Sequence, residues 1–212
     1  MNRLHMLKSA TDTICESFIY EADGLLLVID GGFESEAETL YHKLLTLGGQ
    51  VTAWFFTHPH SDHVGAFCRL MEEHGDEIRV GAIYRNFLPE AFLCEHEPHE
   101  AANTRKYLAW IDQLAQRYNI AVKTMHAGDV YPFGDSQIHV LREPDPAMAV
   151  NCINNSSVVF RLDIHDHRVL FLGDLGTEGG DQLLACTSPE ALKADYVQMA
   201  HHGQHGVERP VY

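Results

Sequence analysis

Four side chains able to hold a metal ion fall within six positions of the stretch Thr57-His58-Pro59-His60-Ser61-Asp62-His63-Val64-Gly65. Imidazole and carboxylate ligands together suit zinc, with manganese and iron as further options. His58 and His60 are two apart in what reads as extended chain, so their side chains point the same way. Asp62 and His63 follow at a turn, where they can face a second point a short distance off. Pro59 stiffens the segment, and Gly65 lets backbone pass close to it. A solvated turn in a His-rich chain would not need three histidines and an aspartate so closely set.

Elements on either side must position these groups. Val51-Thr52-Ala53-Trp54-Phe55-Phe56 is apolar, β-branched and aromatic, and reads as a buried strand. Val64 to Met71 has helical spacing, with Ser61 or Asp62 placed as N-cap. The candidate ligands therefore sit at the end of a strand and the start of a helix.

The remaining chain repeats that arrangement. Leu4–Lys8, Cys15–Glu21 and Leu25–Asp30 read as strands, the last two joined by a tight turn at Ala22-Asp23-Gly24. Residues 34–47 form a helix through Ala37, Leu40, Tyr41 and Leu44, stopped by Gly48-Gly49. Ile78–Tyr84 is another strand, 86–100 reads as an acidic loop, and Ala101–Tyr118 is a long amphipathic helix. Short strands follow at Val122–His126, Val130–Phe133 and Gln137–Leu141. Asn154-Asn155-Ser156-Ser157 leads into a strand at 158–162, and a second strand, Arg168–Leu172, ends in Gly173-Asp174. Asp174 can be read as a helix N-cap or as a second acidic ligand. After a short helix at Glu178–Cys186 and a turn at Pro189–Lys193, a last strand, Tyr196–Ala200, runs into His201-His202-Gly203. Ligand-type residues recur at strand ends, and layers of strand and helix give an α/β class.

Composition sets bounds. At 212 residues the chain suits a single domain, 1–212. A formal net charge of −15 disfavours long duplex nucleic acid and anionic membranes as partners. Bound metal ions would still allow a small phosphorylated substrate. The five cysteines are scattered with no C-x-x-C pair, so neither a disulfide framework nor a cysteine zinc site is indicated. No signal-peptide core or membrane-spanning run shows, and a cytoplasmic location is expected.

His58-x-His60-x-Asp62-His63 resembles the HxHxDH signature of the metallo-β-lactamase-fold hydrolases, and further pieces follow in the family's order along nearly the whole chain. That resemblance implies an αββα sandwich with the site on one rim. It also implies that this chain lacks the closing C-terminal strand and helix, which would leave an uncovered face prone to self-association. Asp30 is implied as a support for the ligand loop, although an acid before Gly31-Gly32 can simply close a turn. Asp174 is implied as a carboxylate bridging two divalent metals, zinc foremost, and His201 as the last ligand of the second. His202 would then contact substrate or be structural. Most members carry a third histidine where this chain has Asn154-Asn155. The Asn-Asn-x-Ser, Gly-Asp, His-His-Gly series is similar to one subgroup, the hydrolase domains of bacterial DNA-uptake channel proteins and their soluble relatives. On that resemblance Asn154 or Asn155 supplies an amide, or a water, in place of imidazole. The activity implied is water attack on a phosphodiester or related ester bond, with Asp62 or Asp174 orienting the water. The alternative is a metal-binding protein of the same fold without turnover.

Overall fold

The computed structural model describes residues 2–11, 13–22 and 24–212. In chain order the strands are β1 (Arg3–Met6), β2 (Ser17–Ala22), β3 (Leu25–Asp30), β4 (Gln50–Val51), β5 (Ala53–Phe55), β6 (Arg79–Val80), β7 (Ala82–Arg85), β8 (Ala121–Thr124), β9 (Val130–Phe133), β10 (Ser136–Arg142), β11 (Val159–Ile164), β12 (His167–Phe171) and β13 (Tyr196–Val197). The helices are α1 (Ala37–Thr46), α2 (Ser61–His74), α3 (Glu90–His96), α4 (Ala101–Arg117), α5 (Cys152–Asn155), α6 (Thr177–Cys186) and α7 (Pro189–Leu192). This is the expected mixed α/β class. The turn read at Ala22-Asp23-Gly24 includes Asp23, which lies outside the described residues.

Two compact units divide the chain: Met1–Arg85 with Glu100–Thr124, and Asn86–His99 with Met125–Tyr212. The first contains a six-stranded sheet in the order β1-β2-β3-β5-β7-β8. Its β1-β2-β3 edge is antiparallel, whereas β3, β5, β7 and β8 run parallel. Strands buried on both faces need continuous apolar runs, and Leu26-Leu27-Val28-Ile29 and Ala53-Trp54-Phe55-Phe56 supply them at 0–3% exposure. Because β3 and β5 are parallel with Ile29 opposite Phe55, Asp30 and Thr57 leave the sheet at the same end. Helix α2 buries Val64, Phe67, Cys68 and Met71 at helical spacing.

The second unit contains a five-stranded sheet, β13-β12-β11-β10-β9, antiparallel except for β13 beside β12. Its core joins Val159, Leu170, Leu172, Leu175 and Leu183 with Ala200, Val207 and Val211. The β12–β13 pairing sends Leu172-Gly173-Asp174 and the residues after Val197 out of one sheet end.

Three departures from the sequence reading have local causes. The apolar run at 78–84 breaks at Gly81, where a Cβ would come within 2.8 Å of the Thr52 carbonyl oxygen. The segment read as a loop at 86–100 contains helix α3. Leu93 and Cys94 of that helix are buried, and Glu97 just beyond it accepts a hydrogen bond from the Ile153 N–H at 2.8 Å. Neither Ser61 nor Asp62 is the N-cap of α2; His60 is, in extended conformation and without a side-chain cap bond.

Gly65 holds the ligand-bearing helix against the chain after β3. A Cβ there would meet the Glu34 nitrogen at 2.7 Å and the Phe33 carbonyl carbon at 3.2 Å, and both are backbone atoms that cannot swing aside. Gly65→Ala is expected to destabilise the fold by about 1–3 kcal/mol, the usual penalty for overpacking. Chemical denaturation would measure this, and an unchanged midpoint would show that the two segments separate freely.

Candidate metal centre

In the first unit, Thr57 to His60 lie in the connection between β5 and α2, and Asp62 and His63 lie in the first turn of α2. His58 and His63 are fully buried, Asp62 is 9% exposed, and His60 is half-buried. His58 Nε2 and His60 Nδ1 lie 3.1 Å apart. Two nitrogens on one tetrahedral zinc at the usual bond length are roughly 3.4 Å apart, so these atoms already have the spacing of a shared ion. His63 Nε2 and Asp62 Oδ2 form a second pair at 3.9 Å. The His58 and His63 rings pack at 4.1 Å between centroids, which places the two pairs side by side.

Asp30 controls which nitrogens face outward. It is fully buried and accepts from the Thr57 N–H at Oδ1 (2.9 Å) and the Thr57 hydroxyl at Oδ2 (2.7 Å). His63 Nδ1 donates to Oδ2 at 2.8 Å. With that proton on Nδ1, the lone pair of a neutral imidazole is on Nε2, the nitrogen paired with Asp62. A carboxylate behind a ligand histidine fixes tautomer and orientation, and Asp30 has that position here. The Trp54 indole N–H donates to the Asp30 carbonyl at 3.0 Å and holds the corner from beneath.

Cys15 belongs to the same unit, and its thiol is pushed up to about 12, by burial first and then by the Glu36 and Glu16 carboxylates. Without a bound metal it is a neutral thiol at physiological pH.

In the second unit, Asp174 is 1% exposed and follows Gly173, whose φ is 56°. Its N–H donates to Ser157 Oγ at 3.0 Å. The histidine beside its carboxylate is His202, with Nε2 3.4 Å from Asp174 Oδ2. His201, assigned to the metal from sequence, instead turns its Nδ1–H to the His205 carbonyl at 2.8 Å. The expectation that His202 points elsewhere rested on extended chain after Ala200. The strand ends at Val197, and both histidines are left-handed, with φ of 52° and 55°. Face alternation does not apply in that conformation, and the second histidine reaches the carboxylate.

The two asparagines also separate. Asn155 is spent on structure: its Oδ1 accepts from the Gly176 and Gly179 N–H groups at 2.9 and 3.1 Å, capping α6 in place of the side chain that Gly176 lacks. Its amide nitrogen donates to the Val150 carbonyl at 2.8 Å. Asn154, 6% exposed, donates to Asn151 Oδ1 at 3.2 Å, but its own Oδ1 is buried with no hydrogen-bond donor. A buried acceptor left this way costs about 1–3 kcal/mol, which a cation or a substrate donor would relieve. Oxygen and imidazole donors with this orphan acceptor fit a divalent metal. Sequence reasoning missed Thr57 and Ser157, which act through hydroxyls without any recurring pattern.

Residues 10–209 match the Metallo-beta-lactamase superfamily. Among curated proteins nothing matches. Among solved structures, the metallo-beta-lactamase fold protein YhfI from Bacillus subtilis is similar at 13% identity and a TM-score of 0.52, over 80% of this chain and 58% of that one. A metallo-beta-lactamase-type protein from Thermotoga maritima is similar at 17% identity and a TM-score of 0.53, over 82% of this chain and 78% of that one. The chain thus spans less than two thirds of the Bacillus protein. At such identities the likeness is one of fold. Among the described residues no helix is long and apolar enough to cross a membrane.

Asp30→Asn tests the tautomer argument. The amide oxygen can still accept from the Thr57 N–H, but its NH2 then faces His63 Nδ1 and favours the proton on Nε2. Zinc affinity is expected to fall about 10–100-fold, as for other outer partners of ligand histidines. Titration against a competing chelator measures it, and unaltered affinity in a folded variant would show that Asp30 does not set the tautomer.

Proposed function

We propose that this chain, which belongs to the metallo-beta-lactamase superfamily, is a metal-dependent hydrolase acting on phosphodiester or related ester bonds of small or short substrates. The observation that carries the reading is the Asp30–His63–Asp62 arrangement, in which a buried carboxylate turns an imidazole lone pair toward a second carboxylate. Such a device has little structural purpose without a cation, because the fold could close the same corner with apolar groups.

On the family resemblance His58, His60 and Asp174 would hold one metal, with the Asn154 amide oxygen where most family members have imidazole, and Asp62, His63 and Asp174 would hold the other with His202. Divalent metals bound there would supply Lewis acidity and make water nucleophilic near neutral pH. Asp62 retains a little solvent exposure, and its role is to bind the incoming water and orient it toward the substrate. The net charge of −15 repels long polyanions, while the local positive charge of the centre admits a single phosphate group. Zinc or manganese serves, and an amide oxygen makes the His58/His60 position the one better suited to the harder ion.

Metal-free protein titrated with zinc and with manganese is expected to take up two ions, the Asp62/His63/His202 position filling first, and to hydrolyse bis(p-nitrophenyl) phosphate. Two ions bound with no turnover on a panel of phosphodiesters, esters and thioesters would mean a metal-binding protein of this fold. His60→Ala and Asp174→Asn are each expected to lower turnover by at least about 100-fold, on the scale of disturbing a metal site, with the melting temperature little changed. Wild-type turnover in Asp174→Asn at full metal content would remove Asp174 from the centre. The corresponding pair His201→Ala and His202→Ala separates the two histidines: only the second is expected to lose metal.

A further inference from the structure

Arg142, the last residue of β10, is 2% exposed. Its guanidinium donates from Nη1 to the Ser157 carbonyl at 2.9 Å and from Nη2 to the Asn155 carbonyl at 2.8 Å. Nε and Nη2 also donate to Gln182 Oε1 at 3.1 and 2.6 Å, and Gln182 in turn donates to Asp145. Every one of these direct acceptors is neutral. Burial draws the guanidinium below its usual pKa, but it remains charged, as arginine does in proteins. Placing such a cation in the interior costs several kcal/mol, and an apolar residue of similar volume would often serve packing better. Packing alone therefore does not account for it.

The two carbonyls it grips flank the short segment that carries the site. Ser157 gives its hydroxyl oxygen to the Asp174 N–H, and the Asn155 side chain holds the Gly176 and Gly179 N–H groups just beyond Asp174. Asn154, with its orphan amide oxygen, is the residue directly before Asn155. A chain of two hydrogen bonds thus runs from the guanidinium through Ser157 to the backbone of the proposed bridging carboxylate. The planar fork of arginine reaches two carbonyls at once in fixed geometry, which the single ammonium of lysine does not do.

We propose that Arg142 is a positioning residue: it fixes the Asn155–Ser157 segment, and through it the Asp174 carboxylate and the Asn154 amide, so that it sets the metal affinity of the centre. This rests on the metal-dependent reading above. Arg161 provides the internal control. It too is a buried arginine of the same sheet, 8% exposed, but its hydrogen bonds go to Asp163 and the Ala191 carbonyl and not to the segment at 154–157.

Zinc affinity, read by competition with a chelator well below the melting temperature, decides between positioning and packing. Arg142→Met, which keeps most of the volume, is expected to bind zinc about 10–100-fold more weakly than wild type, and Arg142→Lys to fall in between. Ser157→Ala removes only the hydroxyl that holds the Asp174 N–H, and is expected to weaken binding in the same direction. Arg161→Met is expected to lower the melting temperature while its zinc affinity stays at the wild-type value. The proposal is overturned if Arg142→Met and Ser157→Ala both bind as wild type does, or if Arg161→Met loses as much affinity as Arg142→Met. Should Arg142→Met not fold, Ser157→Ala decides alone, and unchanged affinity in it counts against the chain of bonds. Wild-type protein that takes up no zinc or manganese refutes the metal-dependent reading itself, whereas wild-type binding with unaffected variants refutes only the role of Arg142.

Discussion

The geometry of the first unit depends on one buried carboxylate. Asp30 is wholly inside and left-handed at φ 51°, a conformation that costs most non-glycine residues roughly 1–2 kcal/mol. An isolated carboxylate in such a place would be strongly unfavourable. Three donors, the Thr57 N–H, the Thr57 hydroxyl and His63 Nδ1, offset this. Hydrogen bonds to a charged group contribute about 1.5–3 kcal/mol each, so three of them match a penalty of several kcal/mol. The interaction is available only because β3 and β5 are parallel neighbours in register. The aspartate ends one strand, the threonine and the histidines follow the other, and the sheet brings them to one corner.

Acidic residues near that corner are drawn into scaffolding. Glu34 accepts from Arg69 (2.6 Å), Tyr107 (2.8 Å) and Lys106; burial raises its pKa, but these donors outweigh burial and hold it below the usual range. Glu36, 2% exposed, takes hydrogen bonds from Ser9 Oγ, the Ala10 N–H and Thr11 Oγ1, each at 2.8 Å, and so ties the chain before β2 to the turn preceding α1. Both carboxylates are satisfied by protein donors. A high net negative charge therefore coexists with acidic side chains that the first unit uses for its own scaffolding.

What could be read from sequence was whatever depends on local spacing. His58, His60, Asp62 and His63 needed only a strand end and a helix start, and both elements were visible in the apolar pattern. For Asp30 the position before two glycines left a turn-closing acid as open as a supporting one, and its tie to His63 spans 33 residues and leaves no periodic trace. The second unit was harder. Asp174 follows a recognisable strand, yet its histidine partner depends on where that strand's neighbour stops, and strand ends are poorly marked by apolar residues. Met199 and Ala200 look like a continuation of Tyr196-Val197, while the chain has already turned. Helix α3 was hidden for a related reason: its buried face is two residues, Leu93 and Cys94, too few for a period to show.

The two halves of the proposed ligand set are consequently held with different firmness. His58 to His63 hang between a buried strand and a fourteen-residue helix, so their positions follow from core packing. Asp174 and His202 hang from loops: one bond to Ser157, one from the His201 N–H to the Gly173 carbonyl at 3.1 Å, and the Gln198 side chain, which donates to that same carbonyl and accepts from the Leu172 N–H. Two consecutive left-handed histidines add about 2–4 kcal/mol of backbone strain. Saturation by a ligand at a hundred times its dissociation constant contributes about 2.7 kcal/mol to the folded state. These magnitudes are alike. A cation held by Asp174 and His202 in the proposed centre would therefore offset a strain of the size stored at His201-His202.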